Sequence, residues 1–142
     1  MVFWIILLVV VGLLAIVRFA PSDPARWHQN ASPAGTETLK RKKGLVWRKE
    51  ISGDGLSELR ALVGVAQATA RTSLLAGSVD AGQVTFITRS KLAGFPDYTT
   101  MGIYTAPDGT RYLEVYGRLR FGRSDLGVNA KRIKGWVGAA QI

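Results

Sequence analysis

The sequence predicts an α+β domain, an antiparallel five-stranded sheet with two helices on one face, preceded by one N-terminal transmembrane helix. Residues 1–20 are apolar except for one charged side chain, Arg18. Residues 44–142 contain short segments of β-type alternation and two longer segments with helical spacing, in the order strand, helix, four strands, helix. That order implies an antiparallel sheet that carries its helices on one face.

Residues 1–20 are expected to form an uncleaved membrane anchor. A spanning helix needs roughly 20 apolar residues, with about 17 as the lower limit, and this segment qualifies. A cleaved secretory signal is the competing interpretation, but such a signal begins with basic residues and is cut after small ones. No basic side chain precedes Arg18, and cleavage after Ala20 would place Arg18 where a small residue is preferred. A buried core helix fits less well, because the segment is apolar on every side.

Residues 21–43 are expected to form a flexible basic tether, because they are rich in proline, serine, alanine, asparagine and glycine and show no hydrophobic period. The only histidine, His28, lies there without the partners that a catalytic base or a metal ligand needs. The polybasic run Lys40 to Lys43 ends the tether. This run either binds anionic lipid, at about 1 kcal/mol per basic residue near the membrane surface, or is a solvated lead-in to the first strand.

Residues 44–142 are expected to form the globular domain. Asp54 predicts the start of a helix that ends near Arg71, and Ser124 or Asp125 predicts the start of the last helix. The inner positions of these helices are Leu56, Leu59, Leu62, Val63 and Ala66, and then Leu126, Ala130, Ile133, Val137 and Ala140. The predicted strands are 44–51, 72–77, 83–89, 98–104 and 110–120.

Side chains alternate across a strand, so the strands predict one apolar and one polar face of the sheet. The apolar face belongs under the helices and contains Val84, Phe86, Met101, Ile103, Leu113, Val115 and Leu119. The other face is rich in tyrosine and arginine. It is either an ordinary solvated face or a binding surface, since both residue types dominate binding hot spots.

Two loop segments, residues 89–100 and 116–129, are expected to build one polar site. Arginines beside a helix N-terminus favour an anion such as a phosphate or a carboxylate. The alternative is structural, with Ser124 or Asp125 capping the helix and the aspartates pairing with nearby arginines. The candidate ligand-binding residues are Arg89, Ser90, Asp97, Tyr98, Tyr116, Arg118, Arg120, Arg123, Ser124, Asp125 and Asn129.

Residues 92–99 and 118–129 resemble the signature of the bacterial and plastid family described as domain of unknown function 1499. The resemblance extends from about Arg26 to the C-terminus. It implies a small exported or membrane-anchored domain, and it implies no catalytic residues.

The charges beside the span and the family resemblance favour opposite sides of the membrane. Arg18, Arg26 and the run Lys40 to Lys43 favour a cytoplasmic domain by the positive-inside rule. The resemblance implies export, and long domains translocate largely regardless of charge. We expect a single-pass protein of a bacterial inner membrane with its domain on the periplasmic side, the cytoplasmic side being the alternative.

Composition limits the function classes. The chain has no cysteine, which excludes disulfides, thiolate catalysis and zinc-thiolate sites. Its net charge of +9 favours an anionic partner. The membrane span makes lipid a simpler choice than nucleic acid, for which no recognised motif is visible. We expect a non-enzymatic binding or assembly module that recognises an anionic lipid headgroup or an acidic protein segment, with no catalytic residue, cofactor or metal. The alternative is a hydrolase that uses Asp97 and Asp125 on an envelope substrate.

Overall fold

A six-stranded antiparallel sheet, in the order β1-β2-β6-β5-β4-β3, is the centre of the computed structural model, which describes residues 1–142. The α+β class predicted from the sequence is confirmed. The helices are α1 (Val2–Phe19), α2 (Pro24–Trp27), α3 (Leu56–Ala68) and α4 (Val128–Ala140). The strands are β1 (Leu39–Arg41), β2 (Gly44–Glu50), β3 (Thr72–Ser78), β4 (Gln83–Arg89), β5 (Pro96–Thr105) and β6 (Arg111–Leu119).

The sequence predicted five strands and two domain helices, whereas the structure has six strands and three helices after α1. The difference lies in the segment that precedes β2. This segment adds the short helix α2 and the edge strand β1. Leu39 pairs with Val46 and Arg41 with Gly44, so the polybasic run is an edge strand and the turn that follows it. Basic side chains are common on edge strands, because they discourage pairing with another chain.

The apolar core lies between the sheet and the two helices α3 and α4. Leu59, Leu62, Val63 and Ala66 of α3 are buried, as their spacing predicts. The apolar face of the sheet supplies Val84, Phe86, Met101, Leu113 and Val115 to the same cluster.

Helix α4 begins later than its apolar spacing suggested. Leu126 was expected inside but is 91 % exposed, because α4 starts at Val128. Of the predicted inner positions Ile133 is buried, and Ala130, Val137 and Ala140 are partly buried against the core. The other buried residues of α4 are Asn129 and Trp136. The N-cap is Gly127 and not Ser124 or Asp125, but the Asp125 carboxylate still accepts from the backbone N–H groups of Gly127 and Asn129 at 3.0 Å each.

Helix α1 contributes no residue to this core. It has 18 residues, none of them buried, and it is long and apolar enough to cross a membrane. A signal sequence near an N-terminus has the same properties.

Residues 21–38, which we call the strap, lie across the face of the sheet opposite α3 and α4. The Trp27 ring stacks on Tyr98 with centroids 4.0 Å apart and planes 8° from parallel. His28 Nδ1 is 2.8 Å from the hydroxyl of Thr85, and the backbone N–H of Ala31 donates to Glu114 at 2.7 Å. The strap is therefore packed onto the domain, whereas its composition predicted a flexible tether.

The strap turns the predicted solvated or ligand-binding face into a buried polar layer. Arg48 and Glu114 form an ion pair at 2.8 Å in which the side chains are 2 % and 0 % exposed. Arg48 also donates to the strap carbonyl of Pro33 at 2.7 Å. Tyr98 and Tyr112 are fully buried in the same layer. Most of the hydrogen-bonding groups on this face are thus directed to the chain itself.

We expect Glu114→Gln to lower the free energy of unfolding by about 3 kcal/mol, because it leaves the guanidinium of Arg48 buried without a countercharge. Urea unfolding of the full chain in non-ionic detergent, followed by tryptophan fluorescence, measures this loss. Glu50→Gln is the matched control, since Glu50 is exposed on the neighbouring strand. Equal losses in the two variants would show that the buried pair is not important for stability.

Candidate functional site

Three loops meet at one end of the sheet, which we call the anchor-side edge: residues 42–43, 90–95 and 120–127. This end is where the chain arrives from α1. The guanidinium of Arg120 donates to the carbonyl of Pro21 at 2.8 Å, only two residues beyond the end of α1. A second contact involves α1 itself. The side chain of Arg18 lies against Gly94, since a Cβ built on Gly94 would be 2.8 Å from Nη1 of Arg18.

Strand alternation divides the predicted site residues between the two faces of the sheet at this edge. Asp97 and Tyr98 are neighbours on β5 and point to opposite faces. Tyr98 is opposite Arg118 on β6 and lies under the strap. Asp97 is opposite Leu119 and lies on the side of α4. The single site expected from two loops is therefore two separate clefts.

The first cleft, the helix-side cleft, has a volume of about 410 Å³ and lies between the C-terminal end of α3, the end of β4 and the start of α4. It brings together residues from both predicted loop segments. Its polar lining includes Arg89, Ser90, Asp97, Ser124 and Asp125, together with Arg71 and Arg132.

Asp97 is held by residues of α4. Arg132 forms an ion pair with its carboxylate at 3.2 Å, and the Asn129 amide donates to the same carboxylate at 3.4 Å. Burial raises the pKa of Asp97, although the charge and hydrogen bonds of Arg132 oppose the shift. Arg132 was missed as a site residue, although its three-residue spacing from Asn129 on a helix puts both side chains on one face.

The other predicted residues of this cleft have mainly local contacts. The Ser90 hydroxyl accepts from the backbone N–H of Phe95 at 2.9 Å, and the Arg89 guanidinium donates to the carbonyl of Gly94 at 2.9 Å. Ser124 accepts from the backbone N–H of Leu126 at 3.3 Å. These bonds fix the shapes of the two loops, which favours the structural interpretation of this cluster.

The second cleft, the strap-side groove, has a volume of about 650 Å³ and lies between the strap, the β1–β2 turn and the end of β6. Trp27 and Tyr116 are its aromatic side chains, and no aspartate or glutamate lines it. Six basic side chains line it: Arg26, Arg41, Lys42, Lys43, Arg118 and Arg120.

Arg118 is committed to internal contacts in this groove. It donates to the hydroxyl of Thr100 at 2.9 Å, to the carbonyl of Tyr116 at 3.1 Å and to the carbonyl of Trp27. Its guanidinium carbon is 4.3 Å from the centroid of the Tyr116 ring. Burial lowers the pKa of Arg118 to about 10, so this side chain stays protonated at neutral pH. Arg118 therefore holds the strap on the sheet and has few donors left for a ligand.

The remaining predicted residues differ in how accessible they are. Tyr98 is buried, and its hydroxyl is 2.7 Å from that of Ser22 and accepts from Arg120 at 3.1 Å. Arg120 is half-buried and Arg123 is exposed on the loop before α4. Arg123 lies outside the linings of both clefts.

The exposed basic side chains of the strap-side groove, which are accessible to a ligand, lie outside the two predicted loop segments. Arg26, Arg41, Lys42 and Lys43 are exposed and have no carboxylate within salt-bridge distance. Three of them belong to the polybasic run. Arg26 was not identified, because its place in the groove depends on the fold of the strap.

Comparison with known proteins places the chain in a family. Residues 21–139 match the family model described as protein of unknown function (DUF1499). The match begins at the first residue of the strap and ends one residue before the end of α4. The unit shared with the family thus includes the strap as well as the sheet. No curated protein matches the sequence.

We expect Asp97→Asn to change how stability depends on pH. Because folding raises the pKa of Asp97, folding favours its protonated form. Its contribution to the free energy of unfolding is therefore full below the unfolded pKa and is lost as the pH rises through the folded pKa. The stability of the wild type relative to Asp97→Asn should fall from acidic to neutral pH, as measured by urea unfolding at a series of pH values.

Asp108→Asn is the control of opposite sign. Hydrogen bonding by Thr110 lowers the pKa of Asp108, so that carboxylate contributes stability above its unfolded pKa and loses it as the pH falls. The stability of the wild type relative to Asp108→Asn should rise with pH. A relative stability that stays flat for Asp97→Asn would contradict the assigned burial of this carboxyl.

Proposed function

We propose that this chain, which belongs to the family of proteins of unknown function DUF1499, is a membrane-anchored, non-enzymatic module whose strap-side groove binds the headgroup of an anionic phospholipid. The observation that carries the proposal is the charge of the groove. Six basic side chains line it and no carboxylate neutralises them. Like charges gathered without countercharges repel one another, so an anion that enters the groove relieves that repulsion.

The groove has two kinds of group suited to a phosphate ester. Arg26, Arg41, Lys42 and Lys43 supply exposed cationic donors. Arg26 lies 5.0 Å above the Trp27 ring, and Arg41 lies 5.7 Å from the centroid of Tyr116. These cation–π contacts pre-position the two guanidiniums, which lowers the entropy lost when a phosphate binds them.

A lipid headgroup is favoured over an acidic protein segment by where the groove lies. Arg120 lines the groove and is hydrogen-bonded to Pro21, so the groove opens beside the end of α1. If α1 spans the bilayer, the headgroup layer is the nearest source of anions. An acidic protein segment would have to reach the same place from solution.

We propose that α1 is the anchor and that the domain faces the periplasm of a bacterial cell. The helix has the length and apolar character of a span. The Arg18 side chain lies against the 90–95 loop, so cleavage after Ala20 would remove a contact of the domain.

The hydrolase alternative has less support from the geometry. Asp97 and Asp125 both lie in the helix-side cleft, and the raised pKa of Asp97 is suited to a general acid. Both carboxylates, however, already have internal donors. Asp97 is bound by Arg132 and Asn129, and Asp125 accepts from backbone N–H groups at the start of α4.

We expect the triple variant Arg41→Gln, Lys42→Gln, Lys43→Gln to bind phosphatidylglycerol roughly 100-fold more weakly than the wild type, since each basic residue near an anionic surface contributes about 1 kcal/mol. Native mass spectrometry of the full chain in non-ionic detergent, titrated with phosphatidylglycerol or phosphatidylcholine, measures the change. The wild type should prefer phosphatidylglycerol, and added salt should weaken binding.

The matched control removes three positive charges elsewhere: Arg60→Gln, Lys131→Gln and Lys134→Gln, all exposed on α3 and α4. Equal losses in the two triple variants would mean that net charge, and not the groove, controls binding. Tight binding of a poly-glutamate peptide with no preference for phosphatidylglycerol would replace the lipid by an acidic protein segment.

We expect the mature protein to retain residues 1–20 and to stay in the membrane fraction after an alkaline carbonate wash. A membrane-impermeant maleimide should label Asp108→Cys in intact cells, because Asp108 is exposed far from α1 and the chain has no other cysteine. A mature N-terminus near residue 21 would identify α1 as a cleaved signal. Labelling only after lysis would put the domain in the cytoplasm.

A further inference from the structure

Exposed apolar side chains are concentrated at the anchor-side edge. Beyond residues 1–19, the large hydrophobic residues that are exposed number five. Four of them belong to the loops of this edge or to the first residue of α4. They are Leu92, Phe95, Leu126 and Val128, whereas Leu74 lies on the edge strand β3.

The two leucines are almost completely exposed. Leu92 is 95 % exposed and Leu126 is 91 % exposed. Leu126 also has a φ of 52°, in the left-handed region that a leucine rarely adopts. The loop is held in this form by hydrogen bonds from Leu126 to Ser124 and from Gly127 to Asp125. Backbone strain that exposes a leucine to water has no benefit in solution. It is explained if the Leu126 side chain lies in an apolar environment when the protein is at the membrane.

The end of α1 lies beside these loops. A Cβ on Gly94, two residues from Leu92, would contact the guanidinium of Arg18. Arg18 is the next-to-last residue of α1. A basic residue at the end of a span lies at the headgroup level, so the 90–95 loop lies at the same level.

Basic side chains surround the leucines. Lys91 precedes Leu92, and Arg123 comes three residues before Leu126. Both of these basic side chains are exposed. Apolar side chains with a rim of lysine and arginine are the composition of surfaces that lie in a membrane interface.

We propose that the loops 90–95 and 120–127 insert into the interface of the bilayer that α1 spans, with Leu92 and Leu126 among the acyl chains and the basic rim among the headgroups. The domain then does not swing on a tether but sits with its anchor-side edge on the membrane. This inference rests on the membrane anchor of the proposed function. It is independent of the strap-side groove, because apolar insertion does not require an anionic lipid.

Site-specific labelling tests the proposal in the full chain, which has no native cysteine. Leu92→Cys and Leu126→Cys are each labelled with the fluorophore NBD and reconstituted in phosphatidylcholine vesicles. Asp108→Cys is the control, since its turn joins β5 to β6 at the opposite end of the sheet. We expect blue-shifted emission at both leucine positions, quenching by a lipid with a nitroxide near the carbonyl, and at least a fivefold lower rate of iodide quenching than at Asp108→Cys.

Emission and iodide quenching that equal those of the Asp108→Cys control at both leucine positions would overturn the proposal. The groove variant Arg41→Gln, Lys42→Gln, Lys43→Gln, labelled at Leu92→Cys, distinguishes this failure from failure of the proposed lipid site. Normal insertion with lost phosphatidylglycerol binding supports the proposal. Lost insertion in phosphatidylcholine, in a variant with normal tryptophan fluorescence, would overturn it, because the basic residues and not the leucines would then hold the edge on the membrane.

Discussion

The buried polar layer between the strap and the sheet is the constraint on which the rest of the structure depends. The sheet presents Arg48, Glu114 and Arg118 on a face from which water is excluded. Buried charged groups are costly unless each is paired and hydrogen-bonded. Arg48 and Glu114 pair with each other, and Arg118 donates to Thr100 and Tyr116 of the sheet, but each of the three also has a partner in the strap. The strap supplies the N–H of Ala31 and the carbonyls of Trp27 and Pro33. The domain cannot leave this face open without exposing or orphaning these groups.

The position of the anchor follows from that constraint. Once the strap is fixed along the sheet, its first residues must lie at the end of β6, where Arg120 and Tyr98 bind Pro21 and Ser22. The same path closes one wall of the strap-side groove, since Arg26 and Trp27 line it. A segment that satisfies buried charges thus also sets where the chain meets α1 and shapes a basic groove beside it. Leu119 lines both clefts, so the two faces of the anchor-side edge are separated by a single strand.

Local periodicity predicted the sheet and its helices well, because the burial of Leu59, Leu62, Leu113 and Val115 depends on spacing alone. The strap could not be predicted in this way. Proline, serine and glycine are typical of flexible linkers, and nothing in residues 21–38 has an apolar period. The signal that was present lay on the sheet, where Arg48 on one strand and Glu114 on another would both face the same side. Opposite charges on a face that is also rich in tyrosine fit a surface covered by another part of the chain as well as they fit a surface exposed to solvent. Register is needed to decide between them, and register is a tertiary property.

The same register explains why the two loop motifs share one edge but not one site. Both loops follow strands that end at the anchor-side edge, which places them together as the motifs suggested. Adjacent residues on β5, however, point to opposite faces, so Asp97 and Tyr98 belong to different clefts. In the helix-side cleft Asp97 is paired with Arg132, and the other charged side chains have partners on the backbone of the surrounding loops. The strap-side groove has an excess of unpaired positive charge. An anion adds more favourable interactions where cations lack partners than where they already have them. For this reason the groove, and not the motif-rich cleft, is the better candidate for ligand binding.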